Sequence, residues 1–252
     1  MSARGEDDTR GRWSPGRTES RSVRVSDSVL EQSVIDLGPR ERTTRATGQC
    51  EEVLFVVAGA GELRLNGERH GLESETGINL APGQEYELHN VASDPMRMVF
   101  VRIPGPAQGE GVADAPAEPT PRVVVRRLAD QEAHAATTDR TYRIVADPST
   151  GLKSATHFVG YVPTERAPEH FHTYDEVIYV LDGEGEFHAG GEHTRLGPGS
   201  CIELPARTVH CLENTGHGVL RLVAVFRPAG SPAAAYYPDG TPAYPGAPVL
   251  TT

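Results

Sequence analysis

The sequence predicts an all-β chain built as two tandem β-barrels behind a disordered N-terminal tail. Three observations carry this. Glycine (27) and proline (20) are abundant among 252 residues, and hydrophobic residues make up 37%, which suits short strands joined by tight turns better than a helical bundle. Short apolar runs recur and are bounded by turn residues. The two halves of the chain also look like copies of each other.

Taken in order, residues 1–22 are rich in Arg, Ser, Gly and Asp, with Trp13 the one large apolar group. Such a segment cannot bury enough surface to offset its ordering entropy, so disorder is expected. Residues 23–102 hold strand-type runs at 53–57, 62–65, 77–80 and 98–101, separated by Gly59-Ala60-Gly61, Asn66-Gly67 and Pro82-Gly83. Asn66-Gly67 is a hairpin signal, because a two-residue primed turn needs φ > 0 at both positions. Residues 103–121, rich in Pro, Gly and Ala, read as a linker. Residues 122–228 bring a second set of runs, opened by 123–125 and continued at 153–162, 177–181, 185–188, 200–204 and 219–226. Residues 229–252 are again Pro-, Ala- and Gly-rich, and are expected to lie irregularly over the second half or to be partly mobile.

The repeat is explicit at residues 52–63 and 176–187, which match at an offset of 124. Glu52/Glu176, Gly59/Gly183, Gly61/Gly185 and Glu62/Glu186 coincide, with the apolar alternation between them. Downstream, Gly77 to Pro82 echoes Gly199 to Pro205 with one residue fewer. A long period seen twice means duplication of a domain rather than a solenoid.

Composition excludes several roles. A formal net charge of −11 argues against a nucleic-acid partner. No apolar run approaches the roughly 18 residues of a membrane-spanning helix, and the N-terminus lacks the apolar core of a secretory signal. Cys50, Cys201 and Cys211 show no paired spacing, so a reducing cytoplasm is the default. A homodimer is left open.

The chemistry gathers at His170, His172, Glu176 and His210. Histidines at i and i+2 of a strand share one face, and Glu176 has their parity if no turn intervenes. His210 comes from a later Gly- and Pro-rich segment. Three imidazoles and a carboxylate converging inside a β-structure would suit a divalent metal.

These residues resemble the cupins, small β-barrels with two sequence motifs. The first is a Gly, His-x-His, a Glu four residues on, then six residues and a Gly; here it reads His170, His172, Glu176 and Gly183. The second reads Gly199, Pro205-Ala206-Arg207, His210 and Asn214, departing at Arg207, where Gly is usual. The resemblance implies two double-stranded β-helix (jelly-roll) barrels, making the chain a bicupin, and one divalent ion on three His and one Glu. Fe2+ or Mn2+ is favoured, with Zn2+, Ni2+, Co2+ or Cu2+ as alternatives. The first half departs from the pattern. His170 maps to Ala46, His172 to Gly48, Glu176 to Glu52, and His210 lands near Glu87, so that barrel is read as metal-free.

Around the site, Arg207 and Arg166 are candidates to hold a substrate carboxylate, weighed against being solvated. Tyr174 is a candidate phenol donor or a packing residue. His157, His188 and His193 read as surface or hydrogen-bonded histidines, Cys201 and Cys211 as small core residues, and Tyr142 and Tyr161 stay unassigned. The resemblance implies an enzyme acting on a small molecule, most like cupin dioxygenases of the quercetinase-like and acireductone type. Oxalate decarboxylases carry ligands in both halves, which this chain lacks. Ureidoglycine aminohydrolases share the layout of one silent barrel but not the ligand set. A non-redox lyase, isomerase or hydrolase, and a non-catalytic metabolite binder, stand as alternatives.

Overall fold

The computed structural model describes residues 20–23, 30–105, 124–136, 138–163, 166–244 and 250. The expected disorder of residues 1–19 and most of the expected linker lie outside the described residues. Within them the chain is all-β apart from two single turns of 3-10 helix, at Leu128–Asp130 and Pro148–Thr150. It divides into two compact units. Of the described residues, one unit holds those from 20 to 130 together with 145–154; the other holds those of 131–144 and from 155 to 250.

The first unit contains β1 (Ser20–Val23), β2 (Glu31–Leu37), β3 (Arg42–Ala46), β4 (Glu51–Ala58), β5 (Ala60–Leu65), β6 (Glu68–Glu73), β7 (Thr76–Leu80), β8 (Glu85–His89), β9 (Met96–Ile103) and β10 (Val124–Arg127). One sheet runs β1-β2-β9-β4-β7-β10 and a second runs β3-β8-β5-β6. Ile35, Leu54 and Phe100 of the first sheet and Leu63, Leu72 and Leu88 of the second close one apolar core between them.

The strands that follow are β11 (His134–Ala135), β12 (Thr141–Ala146), β13 (Thr156–Val162), β14 (Asp175–Asp182), β15 (Gly185–Ala189), β16 (Glu192–Leu196), β17 (Cys201–Leu204), β18 (His210–Asn214) and β19 (Leu220–Arg227). They form the sheets β11-β12-β13-β19-β14-β17 and β16-β15-β18. Phe158, Ile178 and Leu222 meet Phe187, Leu196 and Leu212 in the core of the second unit.

The duplication persists in the strand register. Glu52 lies opposite Leu80 and Arg102, while Glu176 lies opposite Leu204 and Phe226, all related by the offset of 124. Even the register shift recurs, between Val56 and Ala58 and between Val180 and Asp182.

The same offset runs through the segment where the sequence suggests a missing residue. The N–H of Gly199 donates to Val180 O at 2.9 Å, and the N–H of Glu75, not Gly77, donates to Val56 O at 2.8 Å. Glu75 takes a left-handed conformation (φ 63°) where its counterpart is a glycine (φ 93°). A carboxylate side chain at a glycine position had disguised the alignment.

Two expectations are corrected. Ser20–Val23, placed mostly in the tail, pairs antiparallel with β2. The run at 123–125, expected to open the second barrel, contributes to β10, which pairs with β7 in the first unit. Residues 145–154 join that unit too: the Glu51 carboxylate accepts the N–H of Lys153 at 2.7 Å and of Ser154 at 3.0 Å.

The repeated glycines have a steric cause. A Cβ on Gly183 (φ 88°) would lie 2.7 Å from Leu220 Cα and from Val219 O; on Gly59 (φ 87°) it would lie 2.6 Å from Pro95 O and 2.8 Å from Met96 Cα. At both, the turn after the long central strand presses against the chain entering the last strand. Gly190 (φ 61°) has the left-handed conformation with open space around it. Gly183→Ala should therefore cost about 2–4 kcal/mol, and Gly190→Ala only the backbone strain of about 1 kcal/mol. Chemical denaturation of both variants measures this, and equal losses would disprove the steric account.

Candidate metal centre

His170 and His172 sit on a short extended stretch before β14, held from both sides. The His170 N–H donates to His210 O at 3.0 Å and the His210 N–H to His170 O at 2.8 Å. On the other edge Phe171 and Tyr236 exchange bonds of 2.8 and 3.0 Å, and their rings stack at 5.6 Å. Alternation then turns His170 and His172 to one side and Phe171 to the other, as the i, i+2 spacing requires.

The three rings converge. Centroid separations are 5.0 Å for His170–His172, 4.6 Å for His170–His210 and 5.2 Å for His172–His210. One ring nitrogen from each lies within 4.8 Å of the others, a spacing that one ion can bridge. Each Nδ1 is engaged at 2.9 Å by a backbone carbonyl: Pro168 for His170, Ala234 for His172, Thr208 for His210. A carbonyl only accepts, so each Nδ1 carries the hydrogen and each Nε2 keeps its lone pair for another partner. This carbonyl support is the arrangement that orients metal-binding imidazoles.

Burial acts on the same rings. Desolvation, then the neighbouring His170, push His172 down to about 3, against the opposing Ala234 bond. His170 is lowered by burial and by the charge of Arg140, and His210 is held well below its usual value by burial and the other two histidines. Burial thus favours the neutral form of all three rings.

Glu176 lines the same cavity at 5% exposure, and desolvation pushes its carboxyl up to about 8. Its ladder neighbour is Phe226, which offers no charge. The cavity encloses about 90 Å³ and opens to solvent. Its other walls are largely apolar, among them Phe158, Val162, Ile178, Leu212 and Leu222.

The remaining candidates separate cleanly. Tyr174 is buried, stacked 4.7 Å from His172 and 3.9 Å from Phe226, and lines the cavity. Arg207 is exposed and left-handed (φ 63°), like its counterpart Gly83 (φ 80°), and it is its N–H that matters, donating to His172 O at 2.7 Å. Arg166 is exposed, with Nε 3.2 Å from Cys211 Sγ. Neither arginine lines the cavity. His188 bonds Glu213 at 2.9 Å and, with Glu186, forms a second, half-buried group whose spacing could hold an ion. His193 neighbours His188 at 5.9 Å. His157 is buried on β13, which pushes it down to about 3.

Sequence reasoning missed two contributors. Arg140 lines the cavity from a polar turn before β12. Pro232, Ala233 and Ala235 supply a wall, and Ala234 the carbonyl for His172. Tyr142 and Tyr161, unassigned from sequence, also line it.

The equivalent place in the first unit is filled differently, and two mapped positions are corrected. Leu63 faces Leu88 as Phe187 faces Leu212, so His210 corresponds to Tyr86 rather than Glu87. Opposite Tyr86 stands Arg45, not Ala46, whose side chain is exposed. The Tyr86 hydroxyl donates to Glu52 Oε2 at 2.6 Å, and Arg102 Nε lies 3.1 Å from Glu52 Oε1. His89 alternates to the opposite side of β8 from Tyr86. Tyr86 and Arg45 stand where the second unit has His210 and His170, and the carboxylate common to both units is here matched by Tyr86 and Arg102.

With this geometry established, comparison with known proteins is informative. Residues 157–226 match the family model described as a cupin domain, Cupin_2. That stretch carries all four residues of the centre. No curated protein matches the chain in sequence. Among solved structures, the chain is similar to a putative glyoxylate induced protein from Pseudomonas aeruginosa (20% identity, TM-score 0.68, covering 83% of this chain and 79% of that one). It is also similar to protein Ylba from E. coli (12%, TM-score 0.67, covering 82% and 81%). A third likeness is to a mutant of Bacillus subtilis oxalate decarboxylase (14%, TM-score 0.66, covering 87% and 77%). At these identities the likeness shows the fold, a cupin-type all-β fold. Among the described residues no helix is long and apolar enough to cross a membrane.

Metal affinity should rise with pH. Folding without metal holds a proton on Glu176 up to about pH 8, and an ion must displace it. Affinity should therefore climb by up to about tenfold per pH unit below 8 and then level off. Competition titration with a chelator measures this, and Glu176→Gln should flatten the profile.

Proposed function

We propose that the chain is a metal-dependent enzyme acting on a small-molecule metabolite through one centre in its second unit, with His170, His172, Glu176 and His210 as ligands and a dioxygenase-like reaction. The observation that carries this is the set of three Nδ1–carbonyl bonds, which leave three unprotonated Nε2 atoms in a cavity that a buried carboxylate without a counter-charge also lines. The donor set of three nitrogens and one carboxylate suits Fe2+ or Mn2+, and four protein ligands leave positions open for substrate. An ion held there would supply Lewis acidity and, as iron or manganese, redox chemistry with dioxygen.

The chain's own residues do the rest. Tyr174 packs flat on His172 and fixes its ring plane. The apolar walls exclude water and strengthen every electrostatic contact inside. The three carbonyls hold the imidazole tautomers through a turnover. In the first unit Tyr86 and Arg102 occupy Glu52, which supports a single centre in a chain of two cupin barrels. One structural relative is named as an enzyme, oxalate decarboxylase, which favours catalysis over passive binding. The three free cysteines fit a cytoplasmic setting.

The purified chain should hold about one divalent ion by elemental analysis; two per chain, or none after reconstitution, would end the one-site reading. His172→Ala should lose the ion. Glu52→Ala should keep it, although stranding Tyr86 and Arg102 costs about 1–3 kcal/mol of stability. Screened against enolic and diol compounds in an oxygen electrode, the Fe(II) form should consume oxygen and stop turning over anaerobically. Anaerobic turnover would instead assign a lyase or isomerase.

A further inference from the structure

Arg140 is the one cationic side chain in a cavity wall that it shares with the neutral His170, His172 and His210. Its place is fixed. The Ala136 N–H donates to its carbonyl at 2.9 Å, closing the turn before β12, and its Nη2 donates to Leu212 O at 2.6 Å. Those contacts pin the guanidinium at the level of β18, two residues from His210. Its Nε, by contrast, is buried with no hydrogen-bond partner among the described residues.

The charge of this group is only lightly opposed. The carboxylate that acts on it is that of the neighbouring, exposed Asp139, with the Cys211 thiol as a further influence. Glu176 shares the cavity but is not among the groups acting on Arg140. A largely buried guanidinium in the cavity wall, with one side-chain bond to Leu212 O and no carboxylate of the cavity acting on it, is suited to an anionic acceptor from outside the protein.

We infer that the ligand of this cavity carries a carboxylate, and that Arg140 is the residue that binds it and sets its orientation toward the three histidines. A carboxylate fits better than a phosphate, because a dianion would meet a single cation here, already partly offset by Asp139. The apolar walls then receive the remainder of the ligand, giving the class as small organic acids with a hydrocarbon or aromatic body. The inference rests on reading this cavity as the substrate site, but not on the metal.

The test uses the full-length, metal-free chain at pH 8, where the imidazoles are neutral, and calorimetric titration with phenylacetate and its uncharged counterpart phenylacetamide. The wild type should bind the acid about tenfold or more tightly than the amide, the increment of a charge-assisted hydrogen bond. Arg140→Gln should erase that preference, and Arg140→Lys, which keeps the charge but loses the planar fork, should fall between. Equal affinities in the wild type overturn the inference, as does full preference retained in either variant. If Arg140→Gln does not fold, the wild-type and Arg140→Lys measurements decide. Metal content is measured separately on the same proteins. A chain that takes up no ion yet shows Arg140-dependent preference for the acid refutes the metal reading and leaves this one standing.

Discussion

Everything in the second unit turns on a carboxylate buried without a counter-charge. Glu176 and Glu52 occupy the same rung of the same strand in two copies of one fold. In the first copy the next strand places Arg102 beside the carboxylate; in the second it places Phe226. A buried anion that keeps its internal cation is a structural ion pair. A buried anion whose cation has been exchanged for an aromatic ring either stays protonated or waits for a positive charge from elsewhere. The three neutral imidazoles gathered in the same cavity supply the coordination such a charge needs. The contrast between the two copies is thus whether the polypeptide itself sets a positive charge beside this carboxylate.

The scaffold makes that exchange possible without disturbing the fold. Strand register, the shift after Val56 and Val180, and the tight glycine turns at Gly59 and Gly183 are common to both units. The inward positions can therefore vary while the ladder stays intact. Tyr86 for His210 and Arg45 for His170 are exchanges of this kind, each made on the same pair of neighbouring strands.

Much of this was legible in the sequence because it is periodic. Strand alternation placed His170 and His172 on one face, and the repeat at offset 124 exposed the duplication. What escaped was whatever depends on distant chain segments. Glu75 stands in a left-handed position usually read from glycine, so the sequence alignment slipped and His210 was matched to Glu87 instead of Tyr86. The apolar run that enters β10 gave no sign of which sheet it would complete, since its partner β7 lies far earlier in the chain. Arg140 belongs to a short polar turn with no pattern of its own, and its importance arises from the carbonyl of Leu212, 72 residues away. Ala234 contributes only a backbone oxygen, which no side chain can advertise.

That last contact has a bearing on how the protein matures. The imidazole of His172 takes its tautomer from a carbonyl 62 residues further along the chain, and the neighbouring backbone of Phe171 pairs with Tyr236. During synthesis the histidines emerge from the ribosome well before the segment that orients them. A nascent chain therefore passes through a stage in which the second unit's sequence motif is complete while the His172 ring is still free to protonate either nitrogen. The fixed tautomer is a property of the finished polypeptide, acquired only when its closing segment has docked.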